Sequence, residues 1–540
     1  MINAGKHFSL IIGVACCLMA YSPDAKAHID GHTGISPAPA FNLTAKEGHI
    51  STGEGASVLI WGFADDDGQD SSKSVKGAVQ YPGPTLIVSE GDTVTIKLTN
   101  QLSEPVSINF PGLDVQTPVV PVFNHGTLSS ITPEAVPGGT QTYTFIAARP
   151  GTYYYQSGSN QAVQLRMGLF GCIIVRPKQN PTSKTYTDVF PNHYAPGPNK
   201  TFSKFAYNEA GVPDTVTVNG TPISNIGAST GYDREFLFFL SEMDPNFHTW
   251  MELYRDKAKS PVSYGDWIDF NKQKTFISWK ANYWFINGRT APDIMGEAYD
   301  PELPSQPYNS LVMFHPGEMV LTRFVNMGRD FHPLHTHGNH QRIVAEGGLI
   351  VSSAADPLDQ TLTSQTGADL SSEQFTLTMV PGSSFDSLYS WTGKGLGFDP
   401  FGHKPGDLPA PYEYLGDHVG GPNSDIIAPG AQDPVTGRYA NGQFAPKTGD
   451  SASIPFQALP TFFSPDQLTY TFGPWFSGSP YLGSTEPLPP SNVSFNYGGQ
   501  SYYFMWHSHA EREITSNNIF PGGMLNMAAV VPWSLSLPAE

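Results

Sequence analysis

The chain has 540 residues, 29 Lys and Arg against 48 Asp and Glu, and a formal net charge of −19 at pH 7. So acidic a surface repels phosphate and argues against nucleic acid as a partner. With 54 Gly, 48 Pro, 12% aromatic and only 14% charged residues, the composition is that of a loop-rich all-β protein with a large core, of two or three domains.

Residues 1–27 read as a secretory signal: Lys6 precedes an apolar run from Phe8 to Ala20, and Ala25-Lys26-Ala27 supplies a small-residue cleavage site. That run is too short for a transmembrane helix, and no second long apolar stretch follows, so no transmembrane span is expected. Export is therefore expected, to the periplasm or the extracellular or outer surface. Cleavage leaves Cys172 as the sole cysteine, which excludes an intrachain disulfide. Residues 28–39 are expected to be a flexible N-terminus.

From 40 to 177 short strands alternate with Gly and Pro turns, in SVLIWGFA, YPGPTLIVSEGDTVTIKLTN, QTYTFIAARPGTYYYQ and GLFGCIIVRP. Val94, Ile96 and Leu98 alternate with Thr93, Thr95 and Lys97, the pattern of a half-buried antiparallel strand. Repetition at this spacing predicts a Greek-key β-sandwich. The acidic run at 65–70, DDDGQD, lacks the ligand spacing of a calcium loop and reads as a solvated turn. Residues 178–230, rich in Pro, Asn and Gly, read as a linker of loose turns. A second domain over 231–540 is predicted from the strands REFLFFLSEM, KANYWFINGR, EMVLTRFVNM, HQRIVAEGG and EQFTLTMVPG, closed late by SYYFMWHSHA and MLNMAAVVP. Between them, about 393–498, lies a Gly-, Pro- and aromatic-rich insertion, read as a structured lid or interface.

Two stretches carry the chemistry. DFHPLHTHGNHQ places His332, His335, His337 and His340 together, and MWHSHAERE places His507 and His509 two apart. On a strand, residues two apart share a face, so His335 and His337 can address one metal ion while His332 and His340 fall on the other face. Neutral imidazole is a common ligand of copper and zinc, and two distant His-x-His strands make sense if the fold joins them around metal. The competing reading is a set of hydrogen-bonded histidines without metal.

These same residues carry a resemblance. YPGPTLIVSEGDTVTIKLTN, PGTYYYQSG with GLFGCIIV, FHPLHTHG, and WHSHAERE followed by GGM resemble the characteristic segments of the multicopper oxidases. The resemblance implies cupredoxin-like sandwiches, with His332 as a type 1 copper ligand, His335 as a type 2 ligand, and His337, His507 and His509 as type 3 ligands. It also departs from the family. Ser508 stands where the type 1 Cys is expected, Glu513 where its next His is expected, and Met524 serves as axial Met only with an enlarged loop. Asn109 and Pro111, and then Gln156 and Gly158, replace the first-domain histidines, so half of the trinuclear ligand set is missing. No blue copper is expected, since that centre requires a thiolate. Four imidazoles remain, enough for one copper or zinc ion or a poorly coordinated pair, with Asn109, Gln156, Glu511 and Glu513 as candidate oxygen ligands or supporting groups; His332 and His340 lean toward structural roles.

The resemblance further implies two domains plus the insertion and, by analogy with two-domain members, a homotrimer with the metal between subunits. Three functions stay open. In the first, the chain is an oxidoreductase whose histidine-bound copper, held by a diminished ligand set, takes electrons from a metal ion, a small molecule such as a phenol, or a redox protein. Alternatively it is a non-catalytic copper-binding protein, or a structural or interaction module on a degenerate scaffold.

Overall fold

The computed structural model describes residues 29–391 and 502–537, apart from 68–75, 119, 125, 188–198, 258–278, 355–365 and 532–535. The signal-like segment 1–27 and the insertion at about 393–498 lie outside the described residues.

In the first domain, Thr93–Asn100 turns Val94, Ile96 and Leu98 inward and Thr93 and Lys97 outward. The strand is antiparallel to Thr140–Ile146, as its alternation suggests, but parallel to Ala40–Ser51 on its other edge. A Greek-key crossover accounts for this: the first strand returns beside a later one running the same way. These strands belong to a six-stranded sheet that faces a five-stranded sheet centred on Phe170–Arg176. Phe41, Leu43, Ile96, Phe145 and Tyr155 are among the side chains between them.

The second domain repeats the plan with a seven-stranded and a five-stranded sheet. Its organising strand is Arg234–Met243, buried at all ten positions. A strand that is apolar on both faces must be covered on both. Phe236, Phe238 and Leu240 enter the core of the second domain. Leu237, Phe239 and Met243 enter a cluster shared with Ile87, Phe170, Cys172 and Ile174 of the first domain. The two sandwiches are thus packed sheet against sheet.

The same interface holds a buried ion network. Arg323 is fully buried; its Nε donates to Glu235 at 3.2 Å and its Nη1 to Asp386 at 3.3 Å and Thr152 at 3.0 Å. Arg176 reaches Glu235 from the first domain at 2.7 Å. Burial would push the Glu235 carboxyl up, but the two guanidiniums hold it down at about 2. Tyr207 donates to Asp386 at 2.6 Å, drawing the segment before the second domain into the network.

That segment differs from its sequence reading. Residues 178–230, expected to be loose, form ladders: Lys184–Tyr186 with Lys200–Phe202, and Thr215–Val218 with Thr221–Ser224. Lys204–Phe205 pairs with Gly231–Tyr232 just beyond. The aromatics Tyr186, Phe202, Phe205 and Tyr207 are buried, and Glu209 accepts from Tyr186 at 3.0 Å and Ser229 at 3.1 Å. The polar, Pro-rich composition conceals a few large side chains that suffice to anchor it.

Candidate metal centre

Strand His332–Thr336 lies in the five-stranded sheet, between Thr376–Met379 and Tyr502–Ser508. His332, Leu334 and Thr336 face inward, and His335 faces the other side. The register sets His335 opposite both His507 and Thr376. Backbone hydrogen bonds from His337 to Met505 and from His509 to Pro333 continue the pairing at either end. The two His-x-His pairs are therefore held side by side by the ladder itself.

Four rings result. The centroid of His335 is 4.7 Å from that of His337, 5.6 Å from His507 and 5.0 Å from His509. His337 is 5.3 Å from His507, with their Nε2 atoms 3.1 Å apart. His507 Nδ1 donates to the Ser508 carbonyl at 2.8 Å, which fixes its tautomer and leaves the Nε2 lone pair for a partner. His335 Nδ1 pairs with the Thr376 hydroxyl at 2.7 Å. Burial, then neighbouring rings, lower His337 to about 3. Burial also takes His507 down to about 4 and lowers His335. These rings are neutral near pH 7, the state in which imidazole binds metal.

The donor chemistry fits a borderline-soft ion such as copper. Among the described residues no group of three or more His, Cys, Asp or Glu side chains has already closed into a metal-holding arrangement. The four rings are a gathered donor set. A thiolate is not at hand: Cys172 is fully buried between the domains, where burial pushes its thiol well up.

His332 is not brought into this set. It is fully buried on the inward face, with Nδ1 2.9 Å from Glu513 and Nε2 3.1 Å from Glu242. Burial disfavours its charge, yet the two carboxylates outweigh that and raise it to about 9. Both nitrogens are committed and the ring is an imidazolium, so the expectation of His332 as a metal ligand gives way to a buried ion triad. Glu513 also accepts from Ser508 Oγ at 2.6 Å, and the Met524 backbone donates to Glu513 at 2.7 Å. The positions matched to a type 1 site thus converge, filled by a hydrogen-bonded His–Glu cluster without sulfur from cysteine.

Other candidates are placed elsewhere. Asn109 and Gln156 pair with each other on the first-domain sheet, and no hydrogen bond among the described residues joins either to the four rings. Glu511 and His340 are exposed, His340 against the ring of Phe375 at 5.3 Å. Sequence reasoning missed Thr376, Glu242 and Phe375, whose ring lies 5.7 Å from His335. All three come from strands recognisable by pattern, but only cross-strand register brings them to the histidines.

A multicopper oxidase family model matches residues 64–180. Copper resistance protein A of Escherichia coli is 30% identical over 167 residues, covering 31% of this chain and 24% of that protein. Over these stretches the chain is similar to the multicopper oxidases. L-ascorbate oxidase of Cucumis sativus is 35% identical over 111 residues, 20% of this chain and 18% of that protein. The matched stretches span a quarter or less of the length of these relatives. A solved multicopper oxidase, mgLAC, aligns with 93% of this chain and 88% of its own at 15% identity and a TM-score of 0.42. Copper is the cofactor of this superfamily.

Proposed function

We propose that this chain is an exported copper-binding oxidoreductase of the multicopper oxidase kind, in which His335, His337, His507 and His509 hold the metal. The observation that carries the reading is the register pairing of His335 with His507, which gathers four imidazoles from two strands far apart in sequence. When bound, copper supplies one-electron exchange. The chain's own residues orient the donors: Thr376 and the Ser508 carbonyl hold the Nδ1 atoms of His335 and His507, and burial keeps His337 and His507 unprotonated.

Because the type 1 positions are occupied by His332, Glu513 and Ser508, a donor has to reach the histidine site directly. A metal ion, a phenol or a redox protein meets that requirement. The same closed triad favours the second reading, a non-catalytic copper-binding protein, because the family's usual point of electron uptake is replaced. The homotrimer implied by the resemblance is also proposed. It is supported by exposed apolar residues beside the histidines, Phe331, Phe375 and Val380.

Copper content per chain tests the site. His335→Ala and His507→Ala should each lose stoichiometric copper, whereas His340→Ala should retain it. Oxygen consumption with metal-ion and phenolic donors then separates the two readings: turnover that disappears in both variants supports the oxidoreductase, and copper without turnover supports the binding protein. Failure of the unsubstituted protein to hold copper would remove both.

A further inference from the structure

Beside the His332 triad the surface opens into a cavity of about 340 Å³, lined by Trp279, Lys280, Trp284, Arg329, Asp330 and Arg512 among others. A neighbouring cavity of about 200 Å³ shares Trp279 and Arg329 with it and adds Arg166. The Arg329 guanidinium lies 4.6 Å from the centroid of Trp279, and that of Arg512 lies 5.3 Å from Trp284. Arg166 approaches the Trp279 ring at 5.9 Å. In a chain of net charge −19, this is a local gathering of cations on indole faces.

We propose that this cavity binds a small aromatic carboxylate. An arginine laid on an indole keeps its N–H edge free in the plane of the guanidinium, the geometry for a bidentate grip on a carboxylate. The Arg329 side chain makes no hydrogen bond or ion pair among the described residues. Arg512 donates to Asn282 at 3.0 Å, which leaves most of its five donors available. The partly buried Trp279 supplies an apolar wall, and a cavity of this size suits a single-ring ligand.

The carboxylates nearby do not cancel the cations. Glu513 is committed to His332 and Ser508, and Glu242 to His332 and to the backbone N–H groups of Arg329 and Asp330. That leaves Asp330, which interacts with Arg329 and His332, as one acidic group on a wall that also carries Lys280, Arg329 and Arg512. Trp279 packs against the cores of both domains, so the platform beneath Arg329 is anchored. The site is distinct from the four histidines and stands whether or not they hold copper.

Calorimetric titration of the full chain with sodium benzoate, and with benzamide as its uncharged counterpart, tests the inference. Benzoate should bind with a Kd of about 0.1–1 mM, and benzamide at least about tenfold more weakly. Arg329→Gln and Arg512→Gln should each weaken benzoate by about tenfold and leave benzamide and copper content unchanged. Lys280→Gln, at an exposed position, should weaken it about threefold and make its salt dependence shallower. Equal binding of benzoate and benzamide, no binding of benzoate, or undiminished binding in both arginine variants would overturn the proposal and leave the arginine–tryptophan stacks as structural ties.

Discussion

Ser508 Oγ and His332 Nδ1 reach the same carboxylate oxygen of Glu513, at 2.6 and 2.9 Å. A thiolate and an imidazole placed at 508 and 513 would therefore meet His332 at one point, with Met524 adjoining through its backbone bond to Glu513. The double substitution Ser508→Cys with Glu513→His should create an intense visible absorption band on copper loading, read by spectrophotometry; a colourless copper-loaded variant would contradict the correspondence. The ionisation of these residues also sets a pH profile. His332 is raised from 6.5 to about 9, so its contribution is full below pH 6.5 and is lost as pH rises through about 9. Over that span the loss is on the order of 3 kcal/mol. His337 and His507 act with the opposite sign: their folded values of about 3 and 4 lie below 6.5, so the unfolded chain takes up protons first and stability falls as pH drops from 6.5 toward 4. Metal-free protein should have its highest melting temperature near neutrality, and His332→Gln should flatten the alkaline limb in a thermal-melt series from pH 6 to about 9. The histidine pairs were legible in the sequence because period-two spacing survives as a shared face. The carboxylate Glu242 was not, because it lies 90 residues from His332 and only sheet packing joins them.

Strand Arg234–Met243 shows how one element serves two cores. Phe238 lies 5.9 Å from Trp506, which is next to His507 on the strand that carries it, while Phe239 stacks on Phe170 of the first domain at 5.4 Å. Truncating either fully buried ring should destabilise the fold by about 3–5 kcal/mol in chemical denaturation. The functional outcomes should diverge. Phe238→Ala removes support under the histidine strand and should weaken copper retention, whereas Phe239→Ala loosens the contact between domains and should leave copper content unchanged. The continuous apolar run REFLFFLSEM announced a central strand, since a strand covered on both faces loses its alternation. The 178–230 segment gave no such signal. Its ladders are only two to four residues long, too short for a period to be read, and its order comes from a few buried aromatics.

At the scale of the whole molecule, the domains are joined by an apolar cluster and by Arg323, Glu235, Arg176 and Asp386, through the seven-stranded sheet rather than the five-stranded sheet that bears the histidines. The histidine face is different: Phe331, Phe375 and Val380 are 62%, 55% and 41% exposed. Large apolar groups beside a donor set are the surface expected of an interface between copies. Phe375→Glu should convert the proposed trimer to monomer by light scattering, because a charge would be buried at each contact; an unchanged mass would place any interface elsewhere.

Composition, strand patterning and His-x-His spacing determined the all-β class, the two sandwiches and the identity of the four gathered histidines, because all of these depend on local periodicity. Only the tertiary structure decided that His332 is a buried imidazolium between two glutamates. It also decided that the supposed linker is packed and that arginines and tryptophans meet beside the triad. Each of these depends on which distant strands lie side by side and in what register, and sequence spacing carries no record of that until the sheets have closed.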